Sequence, residues 1–220
     1  MTQFVLASSS PRRQALLKTL RIPFSIHKPD IDESQYAAEP PLDYVQRLSR
    51  EKASRIAAQL PIGGSVLAAD TVVILSADTL GVDETGEILG KPTDASDARR
   101  MLQRLRGRTH QVCTAITLLK SDKQAPLILT EVTRTDVTMR DYSDAEIDTY
   151  IATGDPFDKA GSYAIQHPIF QPVARVAGCY GNVVGLPLCT LQTMLPKIGW
   201  ELDTPDAVCH CQEICAGLFF

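Results

Sequence analysis

Several charged side chains of this 220-residue sequence stand where an ordinary fold would not put them. In "LASSSPRRQALLKTL", residues 6 to 20, Ser10 and Pro11 read as the N-cap and first helical position, so Arg12 and Arg13 fall in the first turn of a helix. That end already carries the positive pole of the backbone dipole and its unbonded N–H groups, which attract anions. The two arginines are unfavourable there by about 0.3–1 kcal/mol each unless an anion joins them. Ser8, Ser9 and Ser10 would then add hydroxyl and main-chain donors. The plainer alternative is a solvated helix start whose arginines pair with nearby acids.

Lys52 is the second such charge. Leu48, Lys52 and Ile56 follow one another at a spacing of four, so the lysine lies inside the apolar face of its helix. It either snorkels out along its own stem or points into a pocket. Its neighbour Glu51 falls toward the edge of that face. Asp70 is the third, set between the apolar runs "SVLAA" and "VVIL". A carboxylate inside a buried strand is costly unless it is paired, holds a metal, or caps a neighbouring turn. Lys91 in "GKP", Lys159 in "DKAG" and Glu33 in "DIDES" complete the set, each of which alone reads equally well as an exposed turn. Cations by themselves would suggest simple phosphate binding. Cations with acids suggest a divalent metal that bridges carboxylates to phosphate oxygens, the arrangement needed to hydrolyse a nucleoside polyphosphate.

Other chemistries lack their signatures. There is no P-loop, no G-x-G-x-x-G after a strand, no H-E-x-x-H and no G-x-S-x-G, and His27, His110, His167 and His210 form no pair at metal spacing. The net charge of −4 argues against a broad nucleic-acid surface but not against a small anionic ligand held by a local basic cluster. No apolar run is long enough to span a bilayer and the N-terminus does not read as a signal peptide, so a cytoplasmic protein without a membrane partner is expected. Of six cysteines, Cys113, Cys179 and Cys189 sit in apolar segments and read as buried thiols.

The elements that must position these groups are legible as patterns. "FVLAS", "FSIHK" and "GSVLAADTVVIL" read as strands, and "PLDYVQRLSREKASRIAAQL" as the clearest helix, with Val45, Ser49, Ala53, Ile56 and Leu60 on one face. "TDASDARRMLQRLRG" is a capped helix ending at Gly107. "THQVCTAITLLK" and "LILTEVTRTDVTM" are long strands joined by a turn near residues 121 to 126. Ser143 with Glu146 marks a capping box on a helix that ends at Gly154. "YAIQ", "VARVAG" and "NVVGL" are short strand candidates, and "LPLCTLQTMLPKI" is the last helix. Long hairpin-like strands among capped helices give an α/β protein with a mixed sheet.

"LASSSPRR", "EKA" at 51 to 53, "AADTVV" at 68 to 73, "GKP", "GRTHQVCTAI", "DKAGSYAIQ" and "GNVVGLPL" together resemble the Maf family of nucleoside triphosphate pyrophosphatases, over residues 4 to about 198. The resemblance implies a largely antiparallel α/β fold with flanking helices and two lobes around a central groove, similar to inosine triphosphatases. It implies hydrolysis of a nucleoside triphosphate to the monophosphate and pyrophosphate with Mg²⁺ or Mn²⁺, often by a homodimer. Some relatives are linked to arrest of septum formation. Carried over by position, Asp70 is the proton acceptor, and Ser8, Ser10, Arg13, Lys52, Lys91 and Lys159 handle phosphates. Glu33, Glu51 and Asp70 are the metal candidates. Arg12, Thr71 and Gln166 carry the markers of the dTTP/UTP group rather than the 7-methyl-GTP group, which has tryptophan in place of the first arginine. A Gln amide offers a donor and an acceptor side by side, which suits the edge of uracil or thymine.

Two departures stand out. The family's glycine-rich turn after "IQ" is replaced by "HPIFQPVARVAG", with His167 and Pro168 beside the expected base site. Beyond a domain of residues 1 to 200, a tail from 201 to 220 carries Cys209, His210, Cys211 and Cys215, which read either as an unstructured or oxidisable tail or as a Zn²⁺ set of non-standard spacing.

Overall fold

The computed structural model describes residues 3–75 and 87–202. The cysteine-rich cluster at 209 to 215 lies outside the described residues. The fold is built on β3 (Ser65–Leu75), β5 (Thr109–Lys120) and β6 (Leu127–Met139), which run antiparallel side by side. The turn between β5 and β6 falls where the sequence places it. β3 is buried at every position but Thr71, because helices cover both faces of the sheet. β1 (Phe4–Leu6) pairs in parallel with β3 and with β2 (Ser25–Ile26). β4 (Glu87–Leu89) pairs antiparallel with the far end of β3, and β7 (Val173–Ala177) with β6. The order β2-β1-β3-β5-β6-β7, with β4 beside β3, is the mixed, largely antiparallel sheet expected.

Alternation along β3 sorts its side chains to two faces. Val66, Ala68, Asp70, Val72 and Ile74 face α2 (Pro41–Ala57), whose Val45, Ala53 and Ile56 pack on the apolar members. Leu67, Ala69, Thr71, Val73 and Leu75 face the other side, where the core divides. Leu67 and Ala69 meet Leu16 and Leu17 of α1 (Pro11–Lys18) and Leu188 and Leu191 of α6 (Leu188–Met194). Val73 and Leu75 meet Leu102 of α3 (Ala95–Leu105) and Ile147 of α4 (Asp144–Ala152). These two clusters are the two lobes, and Thr71 sits at their junction.

Local signals set the helix starts. The Ser10 hydroxyl accepts from the Arg13 amide, Asp94 accepts from the Asp97 amide, and Ser143 with Glu146 forms the capping box. Three expectations are corrected. "NVVGL" is not a strand but helix α5 (Tyr180–Val184). Gly185, at φ 119°, lets the chain leave that helix while the Gly185 and Leu186 amides both donate to the Gly181 carbonyl. A short apolar run is ambiguous between strand and buried helix. "YAIQ" runs through a turn rather than a strand, after Gly161 and Ser162 at positive φ. The last helix stops at Met194 and continues as a 3₁₀ turn, Leu195–Ile198, where Pro196 has no N–H to offer. Of the body cysteines, Cys113 is buried as expected, its thiol pushed up to about 11 by burial. Cys179 and Cys189 are half-buried, and Cys189 is disulfide-bonded.

His110 on β5 is buried against Tyr163, whose hydroxyl lies 2.8 Å from its Nε2. Burial holds the imidazole neutral and lowers its pKa to about 3. Below the unfolded value near 6.5 the unfolded chain therefore binds a proton that the native chain does not, so stability falls as pH drops toward 3. Urea unfolding from pH 7 to pH 5 is expected to show about 2 kcal/mol more loss in the native chain than in His110→Gln. Equal losses would mean that His110 is not the group responsible.

Candidate active site

β1 leaves the edge of β3 after pairing Leu6 with Leu67, and β4 joins it only at Val73. Residues Ala68 to Val72 therefore have β5 on one side and no strand on the other. The chain leaving β1 turns through Ser8, Ser9 and Ser10 into α1, so the mouth of that helix opens at this break. A groove of about 650 Å³ fills it, within the usual range for a small-molecule site. Because the break exposes a strand edge, side chains from both faces reach the groove. Asp70 comes from the α2 face and Thr71 from the other.

Asp70 and Lys52 meet across the sheet–helix interface. Lys52 Nζ donates to Asp70 Oδ1 at 2.5 Å and lies 2.8 Å from Glu33 Oε1, so one buried ammonium bridges two carboxylates. Lys52 is 6% exposed and Asp70 8%, and neither would be tolerated so deep alone. Burial works to raise the Glu33 pKa, but the hydrogen bond and charge of Lys52, with Lys91 and Arg13, bring it below its ordinary value. Tyr44 stands beside them with its phenol pKa raised by burial and by the charges of Asp70 and Glu33.

Arg13 lines the groove but is largely committed to the protein. Its Nε donates to the Gly185 carbonyl at 2.8 Å, one terminal nitrogen to the Ala69 carbonyl at 2.7 Å, and the other to Thr71 Oγ1 at 3.1 Å. Burial draws its pKa down while Asp70 works against that shift. Arg13 thus ties α1 to the bare edge of β3 and to the end of α5. Gly185 has a reason to lack a side chain, since its φ of 119° is one that residues with a Cβ rarely adopt.

Lys159 is held by its own loop. Its ammonium donates to the Asp155 carbonyl, to Asp155 Oδ1 and to Asp158 Oδ1, at 2.6, 2.9 and 2.6 Å. Arg12 and Lys91 also line the groove, and neither makes an ion pair among the described residues. Lys28 joins them. It is an exposed groove cation that sequence reasoning missed, because a lone lysine before a proline carries no pattern. Asp158, quoted only as part of "DKAG", is a groove residue too. Six cationic side chains against three carboxylates give the groove an excess of positive charge in a chain whose net charge is −4. That excess favours a polyanion.

Ser8 and Ser10 line the groove as expected, with the Ser10 amide donating to Ser8 Oγ at 3.2 Å. Glu51 stands apart, paired with Arg47 at 3.4 Å and absent from the groove wall. Gln166 is also not among the residues that line the groove, and its Oε1 is buried without a hydrogen-bond partner among the described residues. Of the three expected metal ligands, two carboxylates thus face the groove and one does not. No group of three or more metal-binding side chains converges among the described residues. Two carboxylate oxygens still suit Mg²⁺ or Mn²⁺, since such an ion keeps several waters and takes its other ligands from substrate phosphates.

Relatives are similar over nearly the whole chain. The dTTP/UTP pyrophosphatase of Citrifermentans bemidjiense is 44% identical over 198 residues, 90% of this chain and 96% of the relative. That of Symbiobacterium thermophilum is 42% identical over 94% of this chain and 100% of the relative, and that of Myxococcus xanthus 46% over 91% and 95%. Among solved structures, a nucleoside-triphosphatase/dITP/XTP pyrophosphatase from Mycobacterium abscessus is 15% identical, with a TM-score of 0.37 over 64% of this chain and 76% of that one. The family model described as Maf-like protein matches residues 3–198, and with curated relatives 42–46% identical over at least 90% of its length, the chain belongs to the Maf family.

Proposed function

We propose that this protein hydrolyses the pyrimidine nucleoside triphosphates dTTP and UTP to the monophosphate and pyrophosphate. The observation that carries the reading is the buried Asp70–Lys52 pair, joined by the exposed Glu33, at the break in the sheet edge, inside a groove with excess positive charge. Water attacks the α-phosphorus, the bond from that phosphorus to the bridging oxygen breaks, and pyrophosphate leaves. Lys52 engages Asp70 through Oδ1, so Oδ2 is the oxygen to receive the proton of the attacking water. Arg12, Lys91 and Lys28, without ion pairs among the described residues, take phosphate oxygens first, and Lys159 follows by exchanging a carboxylate for phosphate. Arg13 keeps the mouth of α1, with Ser8 and Ser10, in place. A divalent cation held by Glu33 and Asp70 would neutralise charge on the leaving pyrophosphate.

The pyrimidine preference is supported by Thr71 in the groove. Gln166 is not part of the groove wall and is given no contact with the base. The turn that replaces the family's glycine-rich loop is a closed one. The Phe170 amide donates to His167 Nδ1, and Phe170 stacks on Tyr150. Pyrophosphate release from UTP, dTTP, CTP, ATP and 7-methyl-GTP tests the reading. UTP and dTTP are expected to give the highest kcat/KM, and a preference for 7-methyl-GTP would replace the base assignment. A homodimer is what the family resemblance implies, and sedimentation of the purified chain tests it.

A further inference from the structure

Beneath the groove floor the two lobes are separated by a strip of polar side chains on one face of the sheet. Thr71 Oγ1 and Thr114 Oγ1 lie 2.9 Å apart on paired positions of β3 and β5. Thr114 Oγ1 also lies 3.1 Å from the main-chain carbonyl of Asn182, and Thr71 Oγ1 lies 3.1 Å from an Arg13 terminal nitrogen. The outer two partners have fixed roles. A carbonyl only accepts, and a guanidinium only donates.

One proton arrangement makes all three contacts bonding. Thr114 gives its single proton to the Asn182 carbonyl, so Thr71 must give its own to Thr114, and the Thr71 oxygen accepts from Arg13. The Asn182 carbonyl cannot turn away. It ends the helix that Gly185 caps, and the Asn182 side chain is anchored by Nδ2 donating to the Val112 carbonyl at 2.8 Å and to Thr135 Oγ1 at 2.9 Å. Thr114 and Asn182 are fully buried, so water does not offer an alternative partner.

The geometry points to Thr114 as a specificity-determining positioning residue that fixes the Thr71 hydroxyl as an acceptor toward the base. Thr71 faces the groove with one lone pair left and no proton to give. A ring N–H satisfies it; a bare ring nitrogen meets an oxygen lone pair instead. Uracil and thymine carry a hydrogen on N3, and cytosine does not, so the relay favours the first two over the third. This rests on the reading that the nucleotide base lies against Thr71.

The test compares kcat/KM for UTP and CTP in the native chain, Thr114→Val and Thr114→Ser. In Thr114→Val the Thr71 proton loses its acceptor and is released to bond N3 of cytosine. The UTP:CTP ratio is expected to fall about tenfold, while Thr114→Ser, which keeps the hydroxyl, stays within about twofold of the native chain. A purely structural role would lower Tm or kcat for both nucleotides together and leave the ratio unmoved. That result overturns the proposal. A native chain that does not discriminate UTP from CTP would instead overturn the base assignment on which it rests. If Thr114→Val does not fold, Thr114→Ala and equilibrium binding of UMP against CMP provide the same comparison.

Discussion

Asp70→Asn is expected to lower kcat for pyrophosphate release by about 10²–10⁴-fold while nucleotide binding stays close to native, the range for removing a positioned general base. The amide keeps the shape of the carboxylate and can still accept from Lys52 through its oxygen. It cannot take a proton from water. Glu33 remains to neutralise Lys52, so the substitution leaves no buried charge without a partner. Steady-state pyrophosphate release and calorimetric binding of a non-hydrolysed nucleotide separate the two effects. Undiminished kcat would remove Asp70 from the chemical step, and loss of binding together with turnover would make it a substrate or metal anchor instead.

Lys52→Met is expected to do more, because one ammonium serves two carboxylates. Removing it leaves Asp70 buried and negative with no partner at bonding distance among the described residues, and places Glu33 beside it as a like charge. Breaking a buried pair from one side costs about 3–5 kcal/mol, and the opening of the groove to water puts this site toward the lower end. Activity should fall by at least about 10²-fold as well, since Asp70 loses the ammonium that positions it. The double variant Lys52→Met with Asp70→Leu separates these consequences. Replacing both charges by apolar groups is often nearly neutral, so urea unfolding should show most of the stability restored while activity stays absent. A single variant as stable as the native chain would show that the bridge is not the support described.

Both predictions begin in features visible along the chain. The spacing Leu48, Lys52, Ile56 puts the lysine in the apolar face of α2, and the run "SVLAADTVVIL" puts Asp70 in a buried strand. Their meeting was not visible. That Lys52 points at Asp70, and that Glu33 completes the bridge, depends on α2 lying across β3. Glu51 shows the converse. One residue along the same helix, it turns to Arg47 and leaves the groove, because neighbours on a helix are about 100° apart.

Arg13 gives the sharper case. Sequence alone offers it to phosphate at a helix mouth, and that helix mouth is where expected. Its partners lie 172, 56 and 58 residues away, at Gly185, Ala69 and Thr71. The strut arises from a break between β1 and β4 that no local pattern announces, since strand pairing is a property of register between distant segments. The same holds for α5. Its residues read as a strand by composition but form a helix, which the left-handed conformation of Gly185 ends.

The sequence by itself determined the helix starts, the long hairpin, the mixed α/β class and the residue types of the groove, because caps, hydrophobic periodicity and turn residues act within a few positions of one another. The tertiary structure alone decided which charges face each other and which cations remain without ion pairs among the described residues. Those outcomes depend on distances between segments far apart in the chain, and a hydrogen bond is made or lost within a few tenths of an ångström.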